Sequence, residues 1–421
     1  MLVVRARWLL PIVDRPLLNG WCAIDRGRIA AVGRAGAALP FRDDAPLVDL
    51  GNMAVMPALT NAHTHLELSW MHGRVPRADR FTEWVRDMLR TRRGDPPADD
   101  TVLMSMQQAI EELRASGTGL VGDVSNSLVS VAPLRESSLK GVVFHELLRL
   151  TGADADAVLE QGLDAVKRCG ASVTVPVSLA PHAPYSVSPR LFQGIRAAQE
   201  RTPFLPSSIH LAESPEEVEL LATGDGPWRR LLQELGAWDP DWIAPRTDPV
   251  SYLDQMKVVN SRLLVVHGVQ LDDDGLQRLK SRGATVVTCP RSNDYVGVGC
   301  PPVERFYQSG VPVAIGTDSL ASNNDLNLFS ELELLHRLAP SVAPAALLES
   351  ATLTGARALG FEAEAGTIEP GRDAALIAVE LPRDVVDVET FLVSGIAASS
   401  VRWVGEMIAD CGLRITDCGL R

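Results

Sequence analysis

The order of apolar and polar positions divides the chain into three stretches. From Leu2 to about Pro57, short apolar runs such as GWCAID and AVMPA are separated by Gly, Pro and Asp and show no helical period. This pattern is typical of β-strands. From Ala58 to Gly360, short apolar runs alternate with longer segments of helical period, such as EEVELLA and GLQRLKSRG. After Gly360 the β pattern returns in runs such as AALIAVEL and VRWVGEM.

This order of segments predicts an α/β fold. Alternation of strands and helices over about 250–300 residues is typical of a (β/α)8 TIM-type barrel, and we place it over residues 58–360. The two terminal stretches, residues 1–57 and 361–421, then form one small composite β-domain, β-sandwich-like in architecture. The chain ends with DCGLR written twice, which is too short for a solenoid repeat and predicts no function.

The composition is that of a globular protein with an excess of acidic residues. Hydrophobic residues make up 46%, charged residues 22%, and the formal net charge is -13. Negative charge disfavours a nucleic acid or an anionic membrane as the main partner. We expect neither a signal peptide nor a membrane span, because charges interrupt every apolar run before about 18 residues. Six cysteines without a C-x-x-C pair indicate reduced thiols and a cytoplasmic protein.

Histidines and carboxylates end several of the apolar runs. They are His63 and His65 in NAHTHLELS, His210 and Glu213 in SSIHLAES, His267 in LLVVHG and Asp318 in VAIGTDS. Residues i and i+2 of a strand point to the same side, so His63 and His65 can reach one ion. Any one of these residues alone is more often a packed side chain. Their shared position at strand carboxyl ends, where barrel active sites are built, favours a metal site.

Together these motifs resemble the amidohydrolase superfamily, and within it the adenosine and cytosine deaminase-like branch, whose members are barrels with a flanking β-domain. The resemblance covers nearly the whole chain and implies that His63, His65, His210 and Asp318 are metal ligands. Binuclear members carry a carboxylated Lys or a bridging carboxylate on the fourth strand, and the corresponding run VTVPVSLAPHAP contains no Lys. We therefore expect one divalent ion, zinc, with iron as the alternative.

A mononuclear deaminase of this kind needs three further roles. The ion lowers the pKa of a water molecule toward neutrality. Asp318 ligates the ion and accepts the water proton, and His267 orients the attacking oxygen and stabilises developing charge. Glu213 carries a proton to the ring nitrogen of the substrate and then to the departing amine. Ammonia leaves and a carbonyl remains.

Longer stretches resemble one subgroup, the aminodeoxyfutalosine deaminases of the alternative menaquinone route. They are NAHTHLELS, FTEWV, HAPYSVSP, HLAES, GDGPWRRLLQELGAW, CPRSNDYVGVGCPPVERF and GTDSLASNNDLNLFSEL. This resemblance implies conversion of 6-aminodeoxyfutalosine to futalosine and ammonia. The alternatives are deamination of adenosine or S-adenosylhomocysteine, hydrolytic dechlorination of an s-triazine, and a silent barrel that serves as a scaffold. We expect a small-molecule nucleoside as the partner, and a homodimer.

Four residues are candidate substrate contacts. His182 in APHAPYS and Ser292 in CPRSN match contacts of related nucleoside deaminases, with a packing histidine and a loop-capping serine as the structural alternatives. Glu146 in VVFHELLRL stands near an Arg of the adenosylhomocysteine deaminases, and this departure favours a hydrogen bond to the ribose diol. Glu67 either touches the substrate or orients a metal ligand from behind.

The tail of aminodeoxyfutalosine carries a benzoate, and a carboxylate of this kind needs a cationic partner, preferably a guanidinium group. The candidates are Arg149, Arg291 and the series Arg86, Arg90 and Arg93 in EWVRDMLRTRR. The series has the spacing of one helix face. A solvated helix face is the alternative interpretation.

Overall fold

The structure, a computed structural model, describes residues 1–37, 45–94 and 97–410. Apart from Asp410, the DCGLR repeat, with Cys411 and Cys418, lies outside them. Its strands are β1 Leu2–Arg5, β2 Trp8–Leu9, β3 Leu17–Leu18, β4 Trp21–Asp25, β5 Arg28–Gly33, β6 Leu47–Asp49, β7 Met53–Pro57, β8 Leu59–Thr64, β9 Thr118–Ser125, β10 Lys140–Leu147, β11 Val177–Pro181, β12 Ser207–Leu211, β13 Leu263–His267, β14 Thr285–Thr288, β15 Val313–Ile315, β16 Leu376–Glu380 and β17 Val401–Trp403.

Helices separate most of the strands from β8 onward. They are α1 Phe81–Gly94, α2 Asp99–Ala115, α3 Val131–Glu136, α4 Ala155–Cys169, α5 Pro189–Gln199, α6 Pro215–Thr223, α7 Pro227–Glu234, α8 Pro249–Gln255, α9 Asp273–Arg282, α10 Pro290–Tyr295, α11 Val303–Ser309, α12 Leu328–Leu338, α13 Pro344–Glu349, α14 Gly355–Ala358, α15 Val388–Leu392 and α16 Val404–Asp410. Short 3-10 turns cover Leu66–Met71, Gly152–Asp154 and Ala398–Ser400, and Ser350–Thr354 is a π-helical turn.

Local sequence signals explain where several of these helices begin. Ser188, Ser214 and Asp248 precede α5, α6 and α8, and each side chain accepts a backbone N–H three residues further on. In each case a proline follows at the first helical position, where its missing N–H costs no hydrogen bond. Helix α9 is capped by Asp272 and ends at Gly283 in the left-handed conformation, a common way to stop a helix.

The chain divides into two compact units. The first contains Met1–Asn61, Glu111–Leu120 and the chain from Asn327 onward, and the second contains Ala62–Ile110 and Val121–Leu326. The first unit holds a four-stranded sheet of order β5-β4-β1-β6 and a five-stranded sheet of order β17-β16-β7-β2-β3. Apolar side chains of both sheets share one core, so neither sheet exposes both of its faces to water.

Two further four-stranded sheets, β11-β10-β9-β8 and β12-β13-β14-β15, lie in the second unit except for the first residues of β8 and β9, which belong to the first unit. The pairs β10–β11, β12–β13, β13–β14 and β14–β15 are parallel, and apolar residues of α5, α8 and α9 pack on the strands. The predicted α/β architecture with parallel sheets is therefore confirmed. The apolar runs SSIHLAES, LLVVHG and VAIGTDS each contain a strand.

Backbone hydrogen bonds link the two sheets of the second unit. The His210 N–H donates to the His182 carbonyl at 2.9 Å, and the Thr317 and Asp318 N–H groups donate to the His63 carbonyl at 3.1 and 3.0 Å. Gly316 permits the second link, because a Cβ at this position would lie 2.7 Å from His63 Cβ. These hydrogen bonds therefore hold the carboxyl ends of four strands, β8, β11, β12 and β15, close together.

Two further expectations concern membrane spans and cysteines. Among the described residues, no helix is both long enough and apolar enough to cross a lipid bilayer. Cys22, Cys169 and Cys300 are free thiols.

Candidate metal centre and active site

The four predicted metal ligands meet at the carboxyl ends of their strands. His63 belongs to β8 and His65 follows it, His210 belongs to β12, and Asp318 follows β15. The Nε2 atoms of His65 and His210 are 3.3 Å apart. Asp318 Oδ1 lies 3.7 Å from His63 Nε2 and 3.6 Å from His65 Nε2. Ring nitrogens and carboxylate oxygens so close together form a set that can hold a metal ion.

The pKa shifts of His63, His65 and Asp318 suit metal binding. Burial lowers the pKa of His63 well below its usual value, the neighbouring imidazoles lower it further, and burial also lowers the pKa of His65. Neutral imidazole is the form that binds a metal. Burial would raise the pKa of Asp318, but His65 and His267 and a hydrogen bond from Ser292 lower it overall. The donor set of three imidazoles and one ionised carboxylate fits zinc in composition.

Glu146 lies behind His210 and orients its ring. Glu146 Oε1 is 3.3 Å from His210 Nδ1, and the His182 carbonyl is 3.1 Å from the same nitrogen. Burial opposes protonation of His210, but the hydrogen bond and charge of Glu146 raise the pKa of His210 to about 9. A ligand histidine that donates its other N–H to a carboxylate has a fixed ring orientation. Nε2 of His210 therefore faces the cluster.

Glu213 and His267 lie beside the proposed ligands. Glu213 is only 3% exposed, and its Oε1 is 3.5 Å from His267 Nε2. Burial raises the pKa of Glu213 well above its usual value, and the charge of Asp318 adds to this effect. Burial lowers the pKa of His267 to about 3. Glu213 can thus hold a proton at neutral pH, while His267 stays neutral.

The backbone around these groups is strained. Ala212, His267 and Asp318 have φ angles of 52°, 73° and 58°, in the left-handed region that non-glycine residues seldom adopt. The Glu217 carboxylate accepts the N–H groups of Ala212 at 2.9 Å and Glu213 at 3.0 Å and so holds the turn that carries Glu213. Strain of this kind persists only where surrounding contacts fix the conformation.

Glu67 and Ser292 are held inside the protein. Glu67 lies in the 3-10 turn after His65, and its carboxylate accepts hydrogen bonds from Ser125, Asn126 and Ser127. These three partners are not proposed metal ligands, so both roles of Glu67, substrate contact and orientation of a ligand, stay predictions. The Asn126 side chain in turn donates to Glu146 at 2.9 Å.

Ser292 is fully buried, and its hydroxyl donates to Asp318 Oδ2 at 2.6 Å. The structure therefore places Ser292 against the carboxylate of a proposed ligand, and its direct contact with the ribose stays a prediction. Its partner comes from the loop after β15, which the sequence around Ser292 does not reveal.

A cavity of about 390 Å³ opens in front of the cluster. His65, Glu146, His182, His210, Glu213, His267 and Asp318 line its inner end. Its wall carries Phe81, Trp84, Tyr185 and Trp228, and the rings of Tyr185 and Trp228 are stacked 3.9 Å apart. These aromatic residues lie in the motifs FTEWV, HAPYS and GDGPW, but the sequence alone assigns them no role.

The candidate arginines fall into two groups. Arg93 and Arg149 line the cavity, together with Arg92, which the helix spacing did not single out. Arg86 pairs with Glu234 and Arg90 pairs with Asp87. Arg291 forms a bidentate pair with Asp325 at 2.7 and 2.9 Å. Arg86, Arg90 and Arg291 thus have close carboxylate partners within the protein. Arg149 lines the cavity and also lies 3.8 Å from Asp154.

Three histidines and one aspartate at the carboxyl ends of strands, beside a buried glutamate, form an arrangement typical of a metal-dependent hydrolase. The model of the amidohydrolase family matches residues 54–402. The chain belongs to the amidohydrolase family.

Curated relatives extend this result. The chain is 30% identical over 386 residues to a 5-methylthioadenosine/S-adenosylhomocysteine deaminase of Desulforudis audaxviator, covering 89% of this chain and 84% of the relative. It is 32% identical over 324 residues to an aminodeoxyfutalosine deaminase of Deinococcus radiodurans, covering 73% of each.

Among solved structures, an adenosine deaminase of Xanthomonas campestris with bound zinc is similar, with a TM-score of 0.80 and 27% identity over 95% of this chain and 90% of that chain. The predicted class, a hydrolytic deaminase of the amidohydrolase family with a divalent metal site, is confirmed by these matches.

The cluster predicts the metal content of the protein. Wild-type protein should hold close to one divalent ion per chain by elemental analysis, because the ligands surround one position. His63→Ala and His210→Ala should each lose most of the ion and the activity. His72→Ala is the control, since His72 is exposed and outside the cluster. Two ions per chain, or full activity after complete chelation, would contradict the mononuclear site.

Proposed function

We propose that this chain is a mononuclear deaminase of an adenine-type nucleoside, and that its substrate is 6-aminodeoxyfutalosine, converted to futalosine and ammonia in menaquinone biosynthesis. The observation that carries the proposal is the buried pair of carboxyl groups with opposite pKa shifts, Glu213 and Asp318, at the inner end of a cavity with an aromatic wall and arginines. The names of the curated relatives support an adenine-type ring.

His63, His65, His210 and Asp318 would hold the ion, which is zinc in this proposal, with iron as the alternative. When bound, such an ion lowers the pKa of a coordinated water molecule and makes it a nucleophile at neutral pH. Asp318 accepts the proton of the water through its carboxylate. Ser292 keeps Oδ2 of that carboxylate in place.

Glu213 supplies the proton that the ring needs. The protonated carboxyl donates to the ring nitrogen next to the amino-bearing carbon, so that water oxygen can add to this carbon. Glu213, now a carboxylate, takes the proton of the added hydroxyl group and passes it to the amine. The carbon–nitrogen bond breaks, ammonia leaves and the carbonyl of the product remains, and the proton held by Asp318 restores the acid form of Glu213. His267 and His182 line the same end of the cavity, where His267 stabilises charge on the added oxygen and His182 contacts the nucleoside. Glu146 remains a candidate for the ribose hydroxyls.

The architecture is part of the proposal. Strands β8 to β15 form a closed (β/α)8 barrel over residues 58–360, supported by the hydrogen bonds that join His63 to Asp318 and His182 to His210. Residues 1–57 and 361–421 form the composite β-sandwich-like domain. A homodimer and a cytoplasmic location stay predictions.

A substrate panel tests the function. Release of ammonia should be measured from adenosine, methylthioadenosine, S-adenosylhomocysteine, aminodeoxyfutalosine, guanine and cytosine, with aminodeoxyfutalosine expected to give the highest kcat/KM. A preference for uncharged adenosine or for S-adenosylhomocysteine would replace the proposed substrate by that alternative. Chloride release from a chloro-s-triazine without any ammonia release would overturn deamination itself.

The proton-transfer role predicts the behaviour of Glu213→Gln. The amide cannot exchange a proton, so turnover should fall by roughly 10²–10⁴-fold. The metal content should stay at the wild-type value because Glu213 lies outside the ligand set. Loss of the ion in this variant, measured on the same sample, would make Glu213 a ligand and the role assignment wrong.

If the benzoate of the substrate binds an arginine, substitutions in the two groups of arginines should affect kcat/KM differently. Arg149→Met and Arg93→Met should each lower kcat/KM for aminodeoxyfutalosine. The loss should correspond to a rise of about 1.5–3 kcal/mol in activation free energy, the range of a charged hydrogen bond, and adenosine turnover should stay nearly unchanged. Arg86→Met and Arg90→Met are the matched controls on the same helix, because their guanidinium groups pair with Glu234 and Asp87. Equal losses on both substrates would exclude a carboxylate contact.

A further inference from the structure

Two consecutive residues of the CPRSN segment contact two different functional groups. Ser292 and Asn293 lie in α10, directly after β14, and both are fully buried. Ser292 donates to Asp318 as described, and Asn293 Nδ2 lies 3.0 Å from His267 Nδ1. The function proposed above uses His267 but gives Asn293 no role.

With its Nδ2 toward the ring, the Asn293 amide favours one of the two tautomers of His267. An amide nitrogen is a donor only, so the ring nitrogen that faces it must offer a lone pair. In a neutral imidazole the other nitrogen then carries the hydrogen. That nitrogen, Nε2, faces Glu213 Oε1 at 3.5 Å, and a carboxyl oxygen can accept from an N–H. The Asn293 side of the ring thus favours the Nε2–H tautomer, and Glu213 can accept from that N–H through the carbonyl oxygen of its carboxyl group.

The tautomer decides between two roles for His267. Ring nitrogens of His63, His210 and His267 lie within 4.8 Å of one another, close enough to share an ion. With a lone pair on Nε2, His267 would be a further ligand. With a hydrogen on Nε2, it cannot bind a metal and can only donate a hydrogen bond.

We propose that Asn293 is a positioning residue that holds His267 in the Nε2–H tautomer, and thereby excludes His267 from the metal ligands and makes it a hydrogen-bond donor to the oxygen that adds to the substrate. The second half of this statement rests on the function proposed above. A donor already directed at a developing negative charge stabilises it without reorganisation at the moment of reaction. Ser292 fixes the carboxylate of Asp318 in a similar way. One short segment thus orients both Asp318, the proton acceptor, and His267, the hydrogen-bond donor.

The tautomer is measured directly by ¹⁵N NMR of zinc-loaded protein labelled at histidine, with the His267 signals assigned from their loss in His267→Gln. Nitrogens with and without a hydrogen give well-separated shifts, and we expect the hydrogen of His267 on Nε2. A hydrogen on Nδ1, or on both nitrogens, would overturn the proposal. This measurement needs no substituted Asn293 and no substrate, so it stands even if the substrate assignment fails.

Asn293→Asp tests the consequence. A carboxylate accepts hydrogen bonds, so it should draw the hydrogen of His267 to Nδ1 and leave a lone pair on Nε2. We expect a fall in kcat of at least about 10²-fold, with KM within about twofold; a wrong histidine tautomer in a serine protease costs up to about 10⁴-fold. Asn324→Asp is the matched control, since Asn324 is exposed and the substitution adds the same charge.

Unchanged ¹⁵N shifts in Asn293→Asp, or unchanged kcat despite the shifted hydrogen, would contradict the assigned role of Asn293. Wild-type NMR spectra with the Nε2 hydrogen, combined with absence of ammonia release from every nucleoside, would instead overturn the proposed function and leave the tautomer assignment intact.

Discussion

The close approach of buried imidazole nitrogens is the constraint on which the rest of this site depends. The Nε2 atoms of His65 and His210 face each other at 3.3 Å, and the ring of His63 is 4.8 Å from that of His65 and 5.0 Å from that of His210, between centroids. Buried polar groups need partners, and a cation between these rings would satisfy several of them at once. The strands bring the rings together, and the supporting hydrogen bonds keep their nitrogens directed at one point.

Electrostatic interactions shift the pKa values of the two carboxyl groups of the site in opposite directions. Both Glu213 and Asp318 are buried, and burial alone would raise the pKa of each. Asp318 lies among imidazoles and accepts a hydroxyl hydrogen from Ser292, so its pKa falls. For Glu213, burial outweighs the effect of His210, and the negative charge of Asp318 raises the pKa further. One acid and one base therefore arise from the same environment, because their immediate neighbours differ.

The sequence predicts the strand-end residues well because an apolar run that ends in a histidine shows, in one segment, both where the strand lies and which functional side chain stands at its end. His63, His210 and His267 all lie where this rule puts them. The partners of Glu67 and Ser292 come from other strands and loops, so their hydrogen bonds cannot be derived from local pattern. The arginine series shows the same limit: helical spacing places Arg86, Arg90 and Arg93 on one face, but Arg92 and Arg93 reach the cavity. Which side of a helix faces a cavity depends on packing around it.

The left-handed backbone at Ala212 has a consequence for the evolution of heat resistance. Of the three strained positions, it is the one whose side chain, a single methyl group, has no chemical role. A glycine there would relieve the strain, since glycine adopts positive φ freely, but it would also loosen the turn that directs Glu213. Selection for thermal stability and selection for turnover would therefore act on this residue in opposite directions.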